Sequence, residues 1–177
     1  HAKRFNLDPK RFGACGESSG GHLTALLATT SDTQEFMKHP VTRQASPAIQ
    51  AASVWCGPTD FLKLNDVKCD QDYSSKHSAP SRLIGQPIKE APEKCKQANP
   101  ITYVSQDDSP CFIVHGDADF VVPLNQTELL HAALVKAAVP STLYVATGGN
   151  HAHSKGEQPH DQLSANVARF FSQPVPK

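Results

Sequence analysis

Neither sign of charge is in excess. Lys plus Arg number 17 and Asp plus Glu number 17, which leaves no electrostatic footprint for nucleic acid or an anionic membrane surface. Long apolar runs are absent, so no segment offers the roughly 20 residues that a membrane-spanning helix requires. Five cysteines in 177 residues are too few for a scaffold built on disulfides. No internal repeat or low-complexity tract is present. No Gly-rich phosphate loop of the P-loop or dinucleotide type occurs, and no cofactor is expected. The opening HAKRFNLDPKRF does not read as a signal peptide.

What is present is ordinary globular material, with 38% hydrophobic and 19% charged residues, long enough for one domain with a real core. Apolar, β-rich runs recur at Arg11 to Cys15, Ala51 to Cys56, Pro110 to His115 and Thr142 to Ala146. Helical patterns lie between them. Ser19 to Thr29 is rich in Ala and Leu, and Asn125 to Ala138 repeats Leu129, Leu130, Ala133, Leu134 and Ala137 at the helical period. Asn125 with Glu128 three residues on predicts a variant capping box, and Pro140 is expected to end that helix. The last helix, about Asp161 to Phe171, carries Leu163, Val167, Phe170 and Phe171 on one face, with Pro174 closing it. Alternating strands and helices predict an α/β fold, a mostly parallel sheet flanked by helices and with doubly buried strands.

Residues 60 to 100 interrupt this rhythm with Pro- and Ser-rich pieces, which predicts a cap-like insertion within a single domain rather than a domain with its own core. Cys15, Cys56 and Cys111 sit in or at the end of strand-like runs and are expected to be buried free thiols. Cys69 and Cys95 bracket the insertion in polar sequence, which makes them candidates for a disulfide. Such a bond would favour a secreted or periplasmic setting.

The chemistry begins at Gly16-Glu17-Ser18-Ser19-Gly20, a G-x-S-x-G pattern between a strand and a helix. A nucleophile at such a corner takes strained backbone angles, and its neighbours two residues away must be small, the role expected of Gly16 and Gly20. The helix that follows turns its N-terminal N–H groups toward an oxyanion. A plain Gly/Ser turn with a capping serine is the bland alternative. Ser18 is preferred to Ser19 because only Ser18 has glycine at both flanking positions. An orienting acid is offered by Asp117 or Asp119 in HGDADFVVP, after the third run, and a base by His151 or His153 in GGNHAHS, after the fourth. The order Ser, Asp, His is distinct from the chymotrypsin and subtilisin orders. His151, His153 and His160 make a weak metal set, because no carboxylate or Cys group accompanies them, and no metal is expected. His22 is expected to pack near the corner, and His115 to brace the loop bearing Asp119.

Together GESSGGHLTALL, WCGPTDF, ANPITYVS, HGDADFVVPLNQTELLHAAL and the GGNHAH segment resemble the α/β-hydrolase esterases and lipases, closest to the acetyl esterase and feruloyl-esterase-like branch. The resemblance runs from Asp8 to Phe171. It implies Ser18 as nucleophile, Asp119 as acid, His151 as base with His153 as fallback, and the Ser19 amide as an oxyanion donor. It implies a small-molecule ester substrate with a short acyl group, such as an acetyl or feruloyl ester of plant polysaccharide. The family glycines around the base are replaced here by Asn150 and Ala152. The family also carries earlier strands and a second oxyanion loop that nothing before Gly13 supplies. The chain is therefore expected to be a C-terminal portion of the fold, with a free sheet edge that could pair with an N-terminal segment or a second copy. The alternatives are a prolyl-oligopeptidase-type serine peptidase and a noncatalytic remnant of the fold.

Overall fold

A computed structural model of the chain describes residues 1–31, 33, 46–151 and 160–173. Strands β1 (Gly13–Glu17), β2 (Ala51–Trp55), β3 (Cys111–Gly116) and β4 (Ser141–Ala146) form one sheet in that order, every neighbouring pair parallel. The helices are α1 (Ala2–Phe5), α2 (Ser19–Thr29), α3 (Ala79–Ile84), α4 (Pro92–Ala98), α5 (Asn125–Lys136) and α6 (His160–Ser172). Parallel strands need crossovers, and α2 and α5 follow β1 and β3 directly. All four strands therefore end at one edge of the sheet, where a ligand crevice forms in open α/β folds.

Alternation along the strands sorts the core into two layers. Ala52 and Val54 of β2 and Cys111 and Ile113 of β3 pack with Ala25 and Ala28 of α2 and Leu130 and Leu134 of α5. On the other face Trp55, Phe112, Val114 and Tyr144 meet Leu163 and Val167 of α6. Burying a side chain such as Ile113 or Leu134 contributes roughly 1.5–3 kcal/mol. Only β2 and most of β3 are doubly buried; β1 alternates between exposed and half-buried, and β4 is largely half-exposed. The expectation of four doubly buried strands is corrected on this point, since β1 and β4 are the outer strands and β1 pairs with β2 alone among the described residues. For the same reason Cys15 is exposed, whereas Cys56 and Cys111 are buried as expected.

Two local expectations are also corrected. The residue before α5 is Leu124, following Pro123, so Asn125 lies inside the first turn and cannot cap it; its side-chain amide donates to Lys63 O at 3.0 Å instead. That helix ends at Lys136, before Ala138 adopts a positive φ of 62° and well before Pro140.

Segment 60–100 does gather apolar residues of its own. Phe61, Leu64, Tyr73, Ile88 and Cys95 form a buried cluster, with Cys69, Ile84 and Ala98 against it. They are scattered from Phe61 to Ala98, so no periodic run announces them. Cys69 and Cys95 are both free thiols, which corrects the expected disulfide. The Cys95 thiol points inward to Ile88 O at 3.4 Å, while that of Cys69 turns to Gln71 O in its own loop at 3.3 Å. The neck of the segment is latched by polar groups. Gln126 Oε1 accepts from the Thr59 and Asp60 amides at 2.9 Å each, Asn99 Oδ1 accepts from Phe61 N at 3.0 Å, and Asn99 Nδ2 donates to Asp60 Oδ1 at 2.9 Å. Gln126 and Asn99 are buried, so each unmade bond would cost about 1–3 kcal/mol.

Candidate active site

Ser18 follows β1 and precedes α2, with φ 56° and ψ −120°. Few L-residues adopt these angles, and holding them costs of order 1–3 kcal/mol. The surroundings enforce them: Ser18 N donates to Trp55 O at 2.9 Å, and Ser18 O accepts from His22 N at 3.0 Å. Ser18 is formally the N-cap of α2 but makes no side-chain capping bond. Its Oγ lies 2.9 Å from His151 Nε2 instead.

Close backbone approach builds the corner. A Cβ on Gly16 would sit 2.3 Å from Gly20 O, which agrees with the crowding expected there. A Cβ on Gly20 meets nothing within 4 Å, which corrects the second half of that expectation. The crowded partner is Gly21, whose added Cβ would lie 2.5 Å from Trp55 O. The doublet Gly20-Gly21 was the available signal, but the pattern G-x-S-x-G draws the eye to its first member alone.

Asp119 and His151 lie beyond β3 and β4. The two loops touch through glycines: a Cβ on Gly116 would fall 2.0 Å from Gly149 O, with backbone rather than a pliable side chain in the way. Gly116→Ala is therefore expected to lower the unfolding free energy by about 3 kcal/mol, read by urea denaturation. A variant with wild-type stability would show that the loops do not need this contact.

The expected residues meet as follows. His151 Nδ1 donates to Asp119 Oδ2 at 2.8 Å, while Asp117 is turned away and accepts from Gly148 N at 2.7 Å, bracing the turn. His153 lies outside the described residues. His115, fully buried, places Nε2 at 3.1 Å from Asp119 Oδ2 and 2.9 Å from Val122 O, and its Nδ1 lies 2.8 Å from Thr127 Oγ1. A carbonyl only accepts, so the Nε2 carries a proton. Asp119 Oδ1 accepts from the Val121 and Val122 amides at 2.9 Å each. His22 packs near the corner as expected: its Nδ1 donates to Pro58 O at 3.0 Å and its ring stacks on Phe61.

Electrostatics follow from these bonds. Burial pushes the Asp119 carboxyl up, but the bonds from His115 and His151, the His151 charge and the Val122 amide outweigh it. The carboxyl is held well below the usual carboxylate range. The bond to Asp119 raises His151 above the ordinary value of 6.5; burial opposes this, and the charges of Asp119 and Glu17 add to it. The Cys56 thiol, missed in the sequence because it reads as one more buried apolar residue, donates to His151 O at 3.2 Å. Donor atoms of Cys56, Asp119 and His151 lie within 4.8 Å of one another. The set suits a metal poorly: burial pushes the Cys56 thiol up to about 12, and a cation binds the thiolate. Ser19 opens α2, so its N–H has no acceptor within the helix and faces outward with the positive end of the helix dipole. An activated hydroxyl, a base held in one tautomer, and a helix N-terminus beside them can together carry acyl transfer.

Comparisons with known proteins agree in direction. The BD-FAE family model matches residues 1–134. The chain is 30% identical over 126 residues to "Probable carboxylic ester hydrolase LipM" of Mycobacterium tuberculosis, covering 71% of this chain and 28% of that protein. It is 26% identical over 171 residues to "Uncharacterized peptidase YuxL" of Bacillus subtilis, covering 95% of this chain and 23% of that protein. The chain thus spans about a quarter of the length of these relatives. Among solved structures, a truncated form of a carbohydrate esterase from gut microbiota superposes with a TM-score of 0.82 at 28% identity, covering 97% of this chain and 62% of that one.

Proposed function

This chain belongs to the BD-FAE family of α/β-hydrolase esterases, and on that premise we propose that it hydrolyses carboxylic esters through a covalent acyl-enzyme. The observation that carries the reading is the bridge made by His151, 2.9 Å from Ser18 Oγ on one side and 2.8 Å from Asp119 Oδ2 on the other. His151 takes the Ser18 proton as Oγ attacks the ester carbonyl. Asp119 holds the imidazole with its Nδ1 protonated and stabilises the imidazolium. The Ser19 amide donates to the tetrahedral oxyanion. His151 then returns the proton to the leaving alcohol, and water attacking the acyl-enzyme by the same route releases the acid. The likeness to a carbohydrate esterase supports an ester carried on a sugar as the substrate class.

A fluorophosphonate probe tests the nucleophile directly. Mass spectrometry of the labelled chain is expected to find the phosphonate on Ser18 in the folded protein and nowhere after denaturation. Absence of label from folded protein would remove the acyl-enzyme reading and leave a noncatalytic remnant. The similarity to YuxL supports a second reading, a serine peptidase. Parallel assays of p-nitrophenyl acetate and a peptide p-nitroanilide separate the two, since the ester reading predicts turnover of the acetate alone.

A further inference from the structure

The acid is held from an unexpected side. Three consecutive carbonyls follow Asp119, and each accepts a hydrogen bond from outside its own loop. Phe120 O accepts from Asp70 N at 2.7 Å, Val121 O accepts from the Tyr73 hydroxyl at 2.5 Å, and Val122 O accepts from His115 Nε2 at 2.9 Å. The first two donors belong to segment 60–100, which contributes no member of the Ser18–His151–Asp119 set. With its carbonyls turned outward to these donors, the loop turns the Val121 and Val122 amides inward onto Asp119 Oδ1. That leaves Oδ2 to face His151 and His115.

Tyr73 connects the two regions. Its ring is buried in the segment's apolar cluster with Phe61, Leu64, Ile88 and Cys95. Its backbone is pinned at both ends, the amide donating to Asn65 Oδ1 at 3.2 Å and the carbonyl accepting from Ser78 Oγ at 3.0 Å. A phenol fixed in this way offers its proton at one place, and Val121 O is there. A carbonyl that loses such a donor turns to find another, and here rotation of the Val121–Val122 peptide would carry the Val122 amide off the carboxylate.

We propose that Tyr73 is a positioning residue for Asp119, so that segment 60–100 sets the geometry of the acid as well as flanking the site. The inference rests on the ester-hydrolase reading only for its kinetic half. Tyr73→Phe keeps the ring and removes the hydroxyl. It is expected to lower kcat about fivefold to tenfold, the worth of one hydrogen bond, with KM changed by less than twofold. The acid limb of the kcat/KM profile should move to lower pH, because a weaker Asp119–His151 bond raises the imidazole pKa less. NMR gives a reading independent of turnover: the His151 Nδ1–H proton should shift upfield and its imidazole should titrate at lower pH.

Tyr103→Phe serves as the control, since that hydroxyl donates to Gln97 O outside the acid loop, and it is expected to leave both signals in place. A Tyr73→Phe protein that melts earlier yet keeps the wild-type proton signal and titration would overturn the proposal and reduce Tyr73 to a packing residue. A wild-type chain that shows the His151 signal without hydrolysing esters would instead sink the ester reading, with Tyr73 still judged by NMR.

Discussion

Replacement of Ser18 by alanine is expected to cut turnover of p-nitrophenyl acetate by about 10⁶-fold while leaving the fold in place. The size follows from the chemistry: without Oγ there is no acyl-enzyme, and only the acceleration due to binding and the oxyanion donor remains. Retention of the fold follows from what Ser18 does not do. It makes no capping bond to α2, so alanine removes only the bond to His151, itself half-exposed. Such a bond contributes about 1 kcal/mol, and alanine meets the same positive φ that serine does. Steady-state kinetics beside a thermal melt decides the matter. Residual turnover within tenfold of wild type at unchanged stability would place the nucleophile elsewhere.

The second large effect is expected for Asp119→Asn, about 10⁴-fold in kcat near neutral pH. An asparagine fits the volume but not the hydrogen bonds. If its NH₂ takes the Oδ1 position it meets the Val121 and Val122 amides, two fixed donors. If it takes the Oδ2 position it meets His115 Nε2–H and His151. The second arrangement is cheaper, because His115 keeps Val122 O and His151 can move its proton to Nε2. That tautomer points a hydrogen at Ser18 and cannot take one from it. The pH profile carries the sign. In the wild type the raised His151 pKa keeps the base protonated and idle below a limb lying above 6.5, so kcat/KM rises with pH through that limb. Loss of the carboxylate removes the main cause of the raise, and the limb should move to lower pH. An unmoved limb would mean that the group titrating there is not His151 paired with Asp119.

Much of this site was legible in short windows of sequence. Gly16-Glu17-Ser18 encodes its own strained corner, because a small residue two positions back and a helix-forming run ahead are local requirements. HGDAD and GGNHAH mark the ends of strands for the same reason, apolar runs that stop at glycine. The strands were placed to within two residues, since period and composition act over five or six positions. The capping of α5 was misread because a cap depends on which residue leaves the helix, and Pro123 decided that one position earlier.

Sequence alone thus determined the α/β alternation, the corner at Ser18 and the chain order of the candidate residues, all consequences of propensity and spacing within a few residues. Tertiary structure decided the rest. Asp119 rather than Asp117 faces His151 because the β3–β4 register sets Gly116 beside Ala146 and lets Gly149 close on it. Cys69 and Cys95 stay apart as thiols because one sulfur turns to Gln71 O and the other to Ile88 O. Tyr73 reaches the acid loop because the apolar cluster of segment 60–100 fixes its ring. Each of these outcomes joins residues about 30 or more positions apart, or turns on the orientation of a side chain. Such contacts form only when packing has set the distance between segments, and no local pattern records that distance.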